Sequence, residues 1–152
     1  MEPEKLPKKR IGEILIEEGA IDTDKLEKAL KIQKKEGGLI GGILVRQGWV
    51  SEENLVTALS KQLSIPFIRL GNYHVNRNAL KLVPRGLAEQ YLFFPFEQDD
   101  RRISIAMADP MNPEALEAIK KTLRSRFQVF LATVSEISEA ITTYYRKLSA
   151  QS

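Results

Sequence analysis

The chain contains no cysteine. That excludes disulfides, thiolate nucleophiles and cysteine-ligated metals, and it fits a cytoplasmic protein. A single histidine, His74, lies in the loop-like stretch Gly71-Asn72-Tyr73-His74. With no thiol or carboxylate near it, it reads as a surface or structural residue, and neither a catalytic nor a metal site is expected there. No apolar run approaches the roughly 18–20 residues needed to span a bilayer. The longest, near Leu39–Val45, is broken by Gly41 and Gly42, so direct membrane insertion is not expected. The first ten residues, MEPEKLPKKR, lack the apolar core of a secretory signal. There is no Walker A pattern and no G-x-S-x-G elbow. An enzyme is therefore not expected, and no catalytic residue is nominated. Blocks of like charge are also missing. The net charge is only +3, and the longest basic cluster is Lys8–Arg10. A polymeric nucleic acid would call for a longer basic stripe.

What the chain does contain is an internal repeat. Arg10–Gln33 reads RIGEILIEEGAIDTDKLEKALKIQ, and Leu39–Gln62 reads LIGGILVRQGWVSEENLVTALSKQ. Nine of the 24 aligned positions are identical at an offset of 29. Two copies are too few for a solenoid, which needs about three or more to close a core. They suggest a pseudo-twofold unit, a surface suited to a twofold ligand or partner. Each copy predicts a helix, a glycine stop and a second helix. Gly19 and Gly48 suit the left-handed position after a helix end. Asp22 and Ser51 then stand where N-caps belong. Ile21 with Leu26, and Val50 with Leu55, match the spacing of a hydrophobic staple. Packing is expected through Ile14, Leu15, Leu26, Ala29, Leu30 and their counterparts.

After Gln62 the pattern changes. Pro66 breaks the helix, and Phe67–Leu70 is a strand candidate. Asn78–Val83 and Arg85–Tyr91 predict short helices split by Pro84. Leu92–Gln98 and Ile103–Ala108 flank the hairpin tip Asp99-Asp100-Arg101-Arg102. Pro113–Arg124 predicts a helix capped by Asn112, Phe127–Thr133 a strand, and Ser135–Leu148 a closing helix capped by Ser135. Ile103, Ile105, Val129 and Leu131 should face inward. The expected fold is α+β: a four-helix tandem repeat, then a small α/β-sandwich with an antiparallel or mixed sheet. The expected boundaries are a flexible 1–9, the repeat at 10–66, the α+β part at 67–148 and a tail at 149–152.

Candidate binding residues come from the repeat. Leu26, Leu30 and Gln33 share one helix face, as do Leu55, Leu59 and Gln62. A glutamine recurring at the end of a leucine stripe is not required by packing, and its amide can pair with a base edge or a backbone group. Gly12 and Gly41 each follow an isoleucine expected on the surface near a helix start. Glycine there allows close backbone approach, and helix-start N–H groups attract phosphate. Arg10 adds a guanidinium. The plainer alternative is that the leucines are core and the glycines only open and close helices.

These blocks, in tandem with a five-residue spacer, resemble the MshEN domain, the N-terminal region of type II secretion and type IV pilus assembly ATPases of the GspE/PilB kind. Its motif reads R-L-G-x-x-L-x-x-x-G, six further residues, then L-x-x-x-L-x-x-Q. Gln62–Phe67, Leu82-Val83-Pro84, Phe94-Pro95-Phe96, Ala106–Pro110 and Ile141–Tyr145 resemble later landmarks of the same region. Here isoleucine precedes the motif glycine in both copies, Leu39 stands opposite Arg10, and Gly42 follows Gly41. The resemblance implies a regulatory domain for the second messenger cyclic di-GMP, with no other cofactor. Ligand contacts would fall on Arg10, Ile11, Gly12, Leu26, Leu30 and Gln33, and on Ile40, Gly41, Leu55, Leu59 and Gln62. The family's ATPase half is not among these 152 residues, so no hydrolysis is implied. The alternative is an adaptor that docks, without nucleotide, on the cytoplasmic part of an inner-membrane secretion or pilus protein. Either way the chain would be cytoplasmic and reach the inner membrane only through a partner.

Overall fold

The computed structural model describes residues 10–150; the expected flexible segment 1–9 and residues 151–152 lie outside them. The chain divides into two compact units between Ser64 and Ile65.

In the first unit four helices follow the repeat: α1 (Ile11–Glu17), α2 (Thr23–Glu36), α3 (Ile40–Arg46) and α4 (Glu52–Leu63). The two helix stops match the glycine reading. Gly19 has φ +74° and Gly48 φ +76°. Gly19 N–H donates to Ile16 O at 3.0 Å and Ala20 N–H to Leu15 O at 2.9 Å. Gly48 N–H and Trp49 N–H repeat this on Val45 O and Leu44 O, both at 3.0 Å. This doubled bond satisfies carbonyls that a helix end leaves open. The caps also match: Asp22 Oδ1 accepts from Lys25 N–H at 2.8 Å, and Ser51 Oγ from Asn54 N–H at 3.0 Å.

The helices interleave. α1 packs on α4, α2 on α3, and α1 also meets α3. Exchanging the copies maps each of these pairings onto itself or onto another, as a twofold relation requires. Ile14, Leu15, Ala29, Ile43, Leu44, Ala58 and Leu59 are buried. The expected core needs one correction, because Leu30 is 44% exposed and Leu26 only half-buried. On α2, Leu30 is flanked by Glu27 and Lys34, whereas Leu59 on α4 is flanked by the buried Val56 and Leu63. The apolar face of α2 is therefore too narrow to cover its second leucine.

The second unit carries a mixed three-stranded sheet in the order β1 (Phe93–Gln98), β2 (Arg102–Met107), β3 (Arg126–Leu131). β1 and β2 pair antiparallel around a bulge between Pro95 and Glu97. β2 and β3 pair parallel, Ile103 beside Phe127 and Ile105 beside Val129, with α7 (Pro113–Leu123) as the crossover. The hairpin tip is held by Asp99, whose Oδ1 accepts from Arg101 N–H and Arg102 N–H. Helices α5 (Arg77–Lys81) and α6 (Arg85–Tyr91) precede the sheet, with α6 packing on β1 and on the closing α8 (Val134–Ala150). Ile103, Ile105, Val129 and Leu131 are buried as expected. Tyr145 is buried too and donates its hydroxyl to Val83 O at 3.0 Å.

Two expectations are corrected. The strand at Phe67–Leu70 shrinks to one bridge between Phe67 and Leu131. The chain passes straight into a 3-10 turn at Leu70–Asn72. The closing helix starts at Val134 and runs through Ala150, into the expected tail. Thr133, not Ser135, caps it: Glu136 N–H donates to Thr133 Oγ1 at 3.1 Å, and that hydroxyl donates to Glu136 Oε1 at 3.3 Å. Glu136 also accepts from Leu70 N–H at 3.0 Å and pairs with Arg69 at 3.6 Å, so one carboxylate ties the turn to the helix start.

Removing this cap should be measurable. Thr133→Ala leaves a half-buried helix start unpaired and should cost about 1–2 kcal/mol in urea unfolding. Thr133→Ser keeps the hydroxyl and should recover most of that loss; equal stability of all three proteins would mean the cap is elsewhere.

Candidate functional site

The motif residues divide between two close packing seats. In the first copy Gly12 lies under Leu26. A Cβ on Gly12 would stand 2.6 Å from Leu26 Cδ1. In the second copy a Cβ on Gly41 would stand 3.0 Å from Leu55 Cδ2. Gly42 has nothing within 4 Å. The motif glycine thus lets the first leucine of the stripe lie directly on the helix start. A side chain at position 12 would require Leu26 to shift, and one at position 41 would press on Leu55. Ile11 and Ile40, expected on the surface, are buried and half-buried respectively. Arg10 and Leu39 are the N-caps of α1 and α3 and supply no side-chain cap, and Arg10 is exposed.

The leucine stripes differ in access. Leu30 presents its side chain to solvent, while Leu55 and Leu59 are buried, Leu59 completely. The two glutamines differ as well. Gln33 Nε2 donates to Gly38 O at 3.0 Å, tying the end of α2 to the glycine linker just before α3. Gln62 Nε2 donates instead to Glu18 Oε1, across from the end of α4 to the end of α1. Both partners are pure acceptors, so the amide orientations follow from chemistry and not from a choice of flip. Lys61 Nζ joins Glu18 Oε2 at 3.4 Å. The Glu18 carboxyl is held below its ordinary range, first by the Gln62 amide and then by Lys61, against an opposing contribution from desolvation.

The structure therefore brings Gly12 to Leu26 and Gly41 to Leu55, and places Gln33 beside the linker that leads to Ile40 and Gly41. It gives the eleven residues no single shared contact. Glu18 escaped the sequence reading, since nothing local marks a residue whose partner lies 44 positions away. No group of three or more metal-ligating side chains occurs among the described residues, and no helix there is long and apolar enough to cross a membrane. His74 is exposed. Asp109 is half-buried and accepts from Met111 N–H at 3.1 Å; desolvation raises its carboxyl above the usual range. This is turn chemistry.

The family model of the MshEN domain matches residues 63–151. The chain belongs to the MshEN domain family. The match lies on the α+β unit and not on the tandem repeat. A structural likeness extends it. The structure of MshE with cdg superimposes with a TM-score of 0.74 at 33% identity, covering 90% of this chain and 99% of that one. That share exceeds what the second unit alone holds. The N-terminal domain of XpsE has the same fold, with a TM-score of 0.70 at 19% identity over 93% of this chain and 95% of that one. The type IV pilus assembly ATPase PilB of Myxococcus xanthus (strain DK1622) is 36% identical over 136 residues. Those residues are 90% of this chain but only 24% of that protein. An MshEN domain here thus corresponds to a small part of a pilus assembly ATPase.

Two outcomes follow from this geometry. Gly42→Ala, in open space inside a helix, should stabilise by about 0.5–1 kcal/mol. Gly12→Ala must first displace Leu26, so it should unfold at clearly lower denaturant than Gly42→Ala; equal midpoints would show that the Gly12 seat is loose. The second outcome concerns Glu18. A carboxyl depressed on folding contributes stability above its unfolded value and loses it as pH falls through the folded value. Gln62→Ala removes the main cause, so an NMR titration should place the Glu18 midpoint higher than in the parent; an unchanged midpoint would show that the amide does not hold the carboxylate.

Proposed function

We propose that this chain is a regulatory module that binds cyclic di-GMP across its two repeats and performs no catalysis itself. The observation that carries the reading is the tandem motif with its Gly–Leu seats in both copies, in a chain 33% identical over most of its length to MshE, which was solved with cdg. A twofold dinucleotide matches a unit whose two halves exchange by a twofold relation. In this reading the contacts are Arg10, Ile11, Gly12, Leu26, Leu30 and Gln33 in one half, and Ile40, Gly41, Leu55, Leu59 and Gln62 in the other. Their parts differ. Leu30 offers an open apolar surface to a guanine face, where burial is worth roughly 25 cal/mol per Å². Arg10 supplies a free guanidinium for a phosphate. Gln33 acts through the Gly38 carbonyl, holding the backbone that leads into the α3 start. Leu55 and Leu59 shape the second half from beneath.

The module would act in the cytoplasm, on the machinery of secretion or pilus assembly, and would meet the inner membrane only through a protein partner. The relatives' ATPase activity lies in the larger part of their chains that this sequence does not match, so phosphate release from ATP or GTP is not expected of it.

Calorimetric titration with cyclic di-GMP, with GTP and cyclic di-AMP as controls, tests the reading. Ligand at about 100 times the dissociation constant should add roughly 2.7 kcal/mol and raise the melting midpoint by several degrees. Leu30→Ala should leave stability nearly unchanged, because that side chain is largely open, while weakening binding. Gln33→Ala should weaken binding by roughly five- to 150-fold if the Gly38 tie orders the site. No heat and no thermal shift at millimolar cyclic di-GMP would sink the nucleotide and leave the protein adaptor in its place.

A further inference from the structure

One contact of the repeat unit stands outside both the motif and the pseudo-symmetry. Glu18 is the C-cap of α1, directly before Gly19, and its counterpart in the second copy is Gln47. Its side chain is only 14% exposed. It reaches Gln62 with one carboxylate oxygen and Lys61 with the other. Gln33, the counterpart of Gln62, bonds a backbone carbonyl of its own linker and meets no carboxylate. The two half-sites are therefore unequal. At the α4 end an internal anion holds both the amide and an ammonium.

We propose that Glu18 is an internal competitor for the second half-site: its carboxylate occupies the Gln62 amide and the Lys61 ammonium, and an incoming dianionic dinucleotide has to displace it there. The inference rests on the cyclic di-GMP reading above. The chemistry is that of exchange. A carboxylate and a phosphate both present acceptor-only oxygens to the same donors. A carboxylate left beside two phosphates also repels them. The first half-site, with Arg10 exposed and Leu30 open, has no such competitor. Ligand should seat there first, and the second half should close only as Gln62 and Lys61 leave Glu18. The affinity of the domain is thus set partly by a residue that contacts no ligand atom.

Glu18→Gln is the decisive variant. It keeps size and a hydrogen-bonding group while removing the charge that holds Lys61 and opposes the phosphates. In the full 152-residue chain, cyclic di-GMP should bind Glu18→Gln about two- to fivefold tighter than the parent, the range expected for losing one surface charge contact. Glu18→Ala should also tighten binding, and the gain in both should shrink as salt is raised. Combining Glu18→Gln with Lys61→Ala should cancel much of the gain, because the released ammonium is then absent. Unchanged or weaker binding in Glu18→Gln and Glu18→Ala, with Leu30→Ala still impairing the parent, would overturn the competitor while leaving the site intact. Binding by Glu18→Gln where the parent shows none would support it strongly. No binding by the parent or by either Glu18 variant would overturn it together with the nucleotide reading.

Discussion

A leucine lying where a glycine leaves room is the contact on which the repeat unit depends. Leu26 covers Gly12, and Leu55 covers Gly41. Each seat joins the two helices of one copy at their N-terminal ends. The rest of each second helix then packs on the other copy, α2 on α3 and α4 on α1. Glycine inside a helix costs about 0.5–1 kcal/mol against alanine. Gly42, by contrast, has nothing within 4 Å. In the proposed function the same seat would serve binding, because a leucine held on a helix start brings apolar surface beside helix-start N–H groups.

Local signals in this chain were readable because the interactions behind them are local. Gly19 and Gly48 take the left-handed angle that two successive helix ends demand. Asp22, Ser51 and Asn112 cap because a short acceptor side chain stands just before a helical run. The strands around Asp99–Arg102 follow from alternation and a turn. Thr133 was also readable, as the T-x-x-E pattern with Glu136, but Ser135 with its acidic neighbour offered a competing start two residues further in. Phe67–Leu70 looks like a strand because it is largely apolar, yet its one bridge among the described residues is to Leu131. A lone apolar run says nothing about the length of the edge it will find.

The candidate site was legible as a set of residues and illegible as an arrangement. The repeat marks ten of the eleven positions as five equivalent pairs, with Arg10 standing opposite Leu39, and equivalence is what the fold breaks. Leu30 is open where Leu59 is sealed, because Glu27 and Lys34 flank one and Val56 and Leu63 the other. Those neighbours are in the sequence, so this asymmetry could have been found by comparing the flanks rather than the identities. The partners of Gln33 and Gln62 could not. One is a backbone carbonyl in a linker, the other a carboxylate in a different helix.

The interleaving of α1 with α4 and of α2 with α3 means that each copy uses the other as its packing partner. A single copy of the repeat would present an apolar face with nothing of its own to close it. Two separate copies could meet those needs as a symmetric pair of chains. The present unit has the form of such a pair joined by the short segment Gly37–Leu39 between α2 and α3, so the linker turns a concentration-dependent association into an intramolecular one. Once joined, the halves no longer had to remain identical, and one of them could carry a glutamate at position 18 that the other lacks.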